Sequence, residues 1–187
     1  MFCHAFILFA LTFLFMCITV KDRIHLMAAL AQPYTSITGQ HLNRERALAM
    51  LKGCARNRLY RGCNEDTAEY LIGLYKSGDK SLLDPLVDAG FFSDGALSET
   101  LGSFYGELLS ERPIELLNAL HSRTRKDQEK LALLAAVMDG SGMSNKMFIV
   151  TIAKLRRISS QKNNHLAGVA KVCLKEIEKE NQRLSIH

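Results

Sequence analysis

Only three prolines interrupt 187 residues, of which 48% are hydrophobic. A chain so poor in breakers and so well supplied with core material is neither disordered nor a small secreted knot. No run after residue 32 alternates apolar and polar residues in the way a half-buried strand requires, so a sheet is not expected. The signatures of common chemistry are missing too: there is no GxSxG, no HExxH, no P-loop and no dinucleotide-binding glycine fingerprint. Five cysteines appear without a CxxC or a paired-histidine spacing, which excludes an ordinary zinc site. The six histidines are scattered, and only His121 and His165 fall near helix boundaries, where capping or solvation accounts for them. These absences imply a helical protein without a catalytic motif and without a cofactor.

The most regular stretch is residues 80–120, which reads as three consecutive amphipathic helices. Leu82, Leu83, Leu86 and Val87 form the stripe of the first, and Leu97, Leu101, Phe104, Tyr105 and Leu108 that of the second. The second set recurs at helical offsets from Leu97, placing every member on one face. Between them, Gly90-Phe91-Phe92-Ser93-Asp94-Gly95 supplies a glycine stop and a capping restart. Pro113 suits the first turn of the third helix, which runs to His121.

On either side the same logic continues. Asn43 caps a helix to Leu59 with Ala47, Leu48, Leu51 and Ala55 inward. Asn64 opens another that carries Tyr70, Leu71, Leu74 and Tyr75 and ends at Gly78. Pro85 must lie within the first turns of its helix. Thr124 with Asp127 resembles a capping box with aspartate in place of glutamate, opening a helix to Met138. Gly140-Ser141-Gly142 breaks the chain, and Ser144 caps a segment ending near Ser159. A polar turn at residues 161–164 precedes the last helix, from His165, with Leu166, Val169, Ala170, Cys173 and Ile177 on one face. The charged tail after Glu180 is expected to fray.

The amino end is different. Residues 5–20 are an uncharged apolar run, short for a membrane span, which needs about 20 residues. Lys21 and Arg23 then precede a second apolar segment closing on Ala29-Leu30-Ala31, the order of a secretory signal. Residues 1–31 are therefore read as a signal sequence or membrane anchor, 32–42 as a linker and 43–183 as a single all-helical domain. Export, to a periplasmic or secreted location, makes a local disulfide between Cys54 and Cys63 a candidate. Two unpaired thiols are the alternative.

Charge is distributed in blocks. Residues 1–63 carry eight Lys/Arg against two Asp/Glu, residues 64–120 three against eleven, and residues 121–187 thirteen against six, for a total of +5. Solvated helix faces explain such blocks, and so do surfaces for partners of opposite sign. The candidate acidic partner surface is Asp84, Asp88, Glu99, Glu107 and Glu111. The candidate basic surface is Arg44, Arg46, Lys52, Arg56, Arg58 and Arg61. With only Tyr60 interleaved there is no stacking platform for bases, which counts against nucleic acid.

Residues 80–110 and 144–180 each read as helix, short polar turn, helix, with an Asp-Gly or Asn-rich turn. This pattern resembles HEAT-type helical repeats over about two units. The resemblance implies stacked antiparallel helix pairs used to hold a protein partner; an irregular helical bundle accounts for the same stripes. The expected function is that of an exported, non-enzymatic helical protein binding another protein, as a scaffold, an adaptor or an immunity-type inhibitor. The alternative is a membrane-anchored structural protein whose basic helix lies against anionic lipid. An enzyme whose site forms only in three dimensions is the third reading.

Overall fold

In the computed structural model, residues 42–56, 64–138 and 142–185 are described. They form helices α1 (Arg44–Arg56), α2 (Glu65–Lys76), α3 (Leu83–Gly90), α4 (Gly95–Glu111), α5 (Pro113–His121), α6 (Arg125–Val137), α7 (Asn145–Ser159) and α8 (Ala167–Leu184). A single 3-10 turn, Lys80–Leu82, leads into α3, and no strand occurs among the described residues. The fold is all-α. The leader pattern, the linker apart from Leu42, and the end of the first helix beyond Arg56 lie outside the described residues.

Short polar side chains start these helices because the first N–H groups of a helix have no acceptor within it. Asn64 Oδ1 accepts from the Thr67 N–H at 2.9 Å, and Ser144 Oγ from the Met147 N–H at 3.3 Å. Asn43 does the same for Arg46. Thr124 Oγ1 accepts from the Asp127 N–H, while its hydroxyl donates to Asp127 Oδ2 at 2.7 Å. The aspartate thus bonds the capping hydroxyl and does not reach back to the backbone. Within the expected capping restart at residues 90–95, Asp94 precedes α4 but makes no side-chain bond there; Gly95 follows it with φ +50°, a left-handed entry. Pro85 is the third residue of α3, where its missing N–H costs nothing.

The apolar stripes turn inward as read. Leu82, Leu86 and Val87 are buried, with Leu97, Leu101, Phe104, Tyr105 and Leu108 of α4 and Leu71 and Tyr75 of α2. From α8, Val169, Ala170, Cys173 and Ile177 join the same core, with Leu166 from the turn before it. Cys173 is free, and burial pushes its thiol up to about 12.

Neighbourhood in space does not simply follow neighbourhood in sequence. The most extensive contacts are α4 with α6, α6 with α8, and α7 with α8. Helices α2, α4, α6 and α8 touch in series, and α1, α3, α5 and α7 in a second series. Sequence neighbours α1 and α2 do pack together, as do α4 and α5, but α6 packs on α4 and α8 far more than on its own sequence neighbours. Gly102 and Gly106 account for the close fit of α6 on α4. A Cβ at Gly102 would lie 2.8 Å from the Leu134 carbonyl oxygen, and one at Gly106 2.8 Å from that of Ala135. Bare backbone on α4 lets α6 approach until its carbonyls fill the space side chains would take.

Helix ends between layers are closed by lysines, as expected from the negative end of a helix dipole. Lys130 donates to the Phe91 carbonyl at 2.7 Å, and Lys154 donates to the carbonyls of Ser110 and Glu111. The carboxyl end departs from expectation, since α8 runs through Leu184. Glu180 is buried and accepts from Arg183 Nε at 2.9 Å and Nη2 at 2.6 Å, which ties the last turn together.

Candidate functional site

Helices α2 and α4 face each other across an open groove of about 490 Å³. One wall is the α2 stripe Glu65, Glu69, Ile72, Gly73 and Lys76; the other is Ala96, Glu99, Thr100, Ser103, Phe104 and Glu107 of α4. Each set repeats at three- and four-residue steps, so each occupies one helix face. The deepest lining residues, Ile72 and Phe104, are buried, and the rim is polar. Four carboxylates meet one ammonium. Lys76 Nζ and Glu107 Oε2 pair at 2.5 Å. Glu65, Glu69 and Glu99 are exposed and make no ion pair with a described residue.

Gly73 sits in the interior of α2, where glycine costs about 1 kcal/mol relative to alanine. A Cβ at this position would meet nothing within 4 Å. Neither φ nor packing calls for glycine here.

The five acidic residues expected to form one surface are divided. Glu99 and Glu107 line the groove, whereas Asp84 and Asp88 do not. Those two lie against Arg123, whose guanidinium is 2.8 Å from Asp88 Oδ1 and 4.0 Å from Asp84 Oδ1. Glu111 closes α4 with its side chain exposed. Glu65, Glu69 and Gly73 were not visible as site residues in the sequence. Their one-turn spacing, ending on a glycine that interrupts a good helix, is the signal that marks them.

Of the expected basic surface, Arg44 is engaged within the fold: Nε is 2.6 Å from Asp79 Oδ2, and Nη2 donates to Ser81 Oγ. Arg46 and Lys52 are exposed on α1. The Arg56 side chain, Arg58 and Arg61 lie outside the described residues. Cys54 is disulfide-bonded, and Cys63, its expected partner, lies outside them as well.

A second polar cluster joins α2, α4 and α5. Tyr75 is fully buried and donates to Glu115 Oε2. Lys80 Nζ stands 4.1 Å from the Tyr75 ring centroid and 3.5 Å from Glu115 Oε2, and Phe104 meets the same ring edge-on at 5.3 Å. The hydrogen bond from Tyr75 holds the Glu115 carboxyl below its ordinary range against the opposing effect of burial, with Arg112 and Lys80 adding to it. Burial, then the bond to Glu115, pushes Tyr75 up to about 12. The cluster reads as a structural tie.

A pH dependence follows. A carboxyl with a lowered folded pKa stabilises above its ordinary value and loses that contribution as pH falls through the lowered one. Between about pH 5 and pH 2, the urea midpoint of Glu115→Gln should therefore fall less than that of the unchanged protein. Equal slopes would show that Glu115 is not part of the acid response.

Among the described residues no group of three or more His, Cys, Asp or Glu side chains is placed to hold a metal ion. His121 and His165 meet edge to face at 5.3 Å, and His165 Nε2 lies 3.4 Å from Asn118 Oδ1. No helix of the described residues is long and apolar enough to cross a membrane. The chain matches no known family model, no curated protein and no solved structure.

Proposed function

We propose that this protein is an exported helical scaffold that holds a protein partner through the acidic groove between α2 and α4. The observation that carries the reading is the pair of facing stripes, with three carboxylates on the rim left without a cation from the described residues. Polar rims around an apolar floor are the ordinary anatomy of protein contact surfaces. The two series of touching helices support reading the scaffold as stacked helix pairs of the HEAT-like kind. Export rests on the order of charge, apolar segment and small residues before Gln32. The lipid reading is the weaker one, because Arg44 is already tied to Asp79.

Affinity capture from the envelope fraction tests this, with the unchanged protein and a Glu65→Lys/Glu69→Lys/Glu99→Lys variant, at low and at high salt. A partner is expected at low salt only, since ions screen exposed charges beyond about 8–10 Å. The variant should recover none of it. Equal recovery by both proteins, or no specific partner under either condition, refutes the proposal. Amino-terminal sequencing of the mature protein tests export separately; an intact Met1 in a soluble cytosolic fraction would refute that part.

A further inference from the structure

We infer that the α2–α4 groove seats a basic peptide segment of the partner, laid along α2 with a side chain entering over Gly73. The inference rests on the groove being the binding site and adds its occupant. Two independent observations carry it.

The first is Gly73. Glycine inside a helix forfeits stability, and the usual reasons for keeping it are close backbone approach or a positive φ. Close approach accounts for Gly102 and Gly106, and positive φ for Gly78 and Gly95, while Gly168, equally unencumbered, stands in the first turn of α8 and lies outside the groove. Neither applies to Gly73, whose missing Cβ points into open space on the groove wall. What the glycine provides is depth beside Ile72 and Phe104.

The second is the charge pattern. Glu65 and Glu69 stand one helical turn apart on one wall, and Glu99 faces them from the other. Anionic rims on both sides attract a cationic segment and repel an acidic one. Lysine and arginine suit this place further, because their aliphatic stems cover apolar floor while their charged ends reach the rim. At about 1.5 Å per residue, the α2 wall from Glu65 to Lys76 is about 16 Å long, enough for a short peptide segment.

The test uses the full chain and two fluorescent peptides of equal length, one with lysines spaced among alanine and leucine, the other with glutamate at every lysine position. Anisotropy should show binding of the lysine peptide only. Gly73→Leu, which fills the depth without touching the core, should weaken it at least tenfold while melting no lower than the unchanged protein. Glu69→Lys should weaken it similarly, and Glu129→Lys, the same charge change on α6 away from the groove, less than twofold. Undiminished binding by Gly73→Leu, or equal losses from Glu69→Lys and Glu129→Lys, would overturn the inference. So would failure of the lysine peptide to bind at all. If the peptide fails while the captured partner is still lost on charge reversal at Glu65, Glu69 and Glu99, the groove remains the binding site and only its occupant is wrong. If both fail, the site itself is wrong.

Discussion

Gly102→Ala and Gly106→Ala are each expected to destabilise the protein by about 1–3 kcal/mol, although alanine is the better helix former by about 1 kcal/mol. The added methyl would press on carbonyl oxygens of α6 and its cap, at Leu134 and Met138 for Gly102 and at Ala135 for Gly106. Backbone cannot swing aside as a flexible side chain can, so the helices must separate and their core contacts loosen. In a domain of this size the melting temperature should fall by about 2–4 °C for each kcal/mol lost. The double variant should lose less than the sum of the two, because once α6 has moved away the second methyl finds room. Gly73→Ala is the matched control, the same substitution in open space, and should raise the melting temperature. If all three variants shifted it in the same direction, close approach of α4 and α6 would not be what those glycines serve.

Tyr105→Ala should cost more, about 3–5 kcal/mol, because a fully buried aromatic ring leaves a cavity that the surroundings only partly close. Tyr105→Phe isolates the hydroxyl, which donates to the Leu86 carbonyl at 2.7 Å, and should cost about 1 kcal/mol. The ring also explains Gly90. A Cβ there would stand 2.9 Å from Tyr105 Cε2, with the hydroxyl closer still. Gly90→Ala alone is therefore expected to destabilise. In the Tyr105→Ala background the same change should be neutral or favourable, since the obstruction is gone. Urea unfolding of the four proteins completes a double-mutant cycle. A coupling energy near zero would mean that glycine and ring do not constrain each other.

Much of this architecture is legible in the amino-acid order because it rests on local rules. Asn64, Thr124 and Ser144 begin helices where a short oxygen-bearing side chain must, and the leucine stripes of α3 and α4 declare which side is buried. What escapes is any relation carried by residues that look unremarkable in one dimension. The preference of α6 for α4 and α8 over its sequence neighbours depends partly on two glycines and a run of alanines, Ala132, Ala135 and Ala136. Arg123 finds Asp84 and Asp88 from far along the chain, dividing an acidic set that spacing alone presents as one. Likewise the acidic block predicts a negative surface, but not which carboxylates already have a cation. Glu107 has one and Glu99 has none among the described residues. The expected loosening after Glu180 took no account of the Glu180–Arg183 pair, a bond within one turn that extends the helix to Leu184 although residues 182–185 are exposed.

An odd number of cysteines normally invites scrambling wherever disulfides form. Exchange needs a thiolate with a path to the sulfur it attacks. Cys173 has neither, being sealed beneath α8 with its proton held far above neutral pH. Among the described residues, the bond made by Cys54 thus meets no reactive thiol to exchange with while the last helix stays folded.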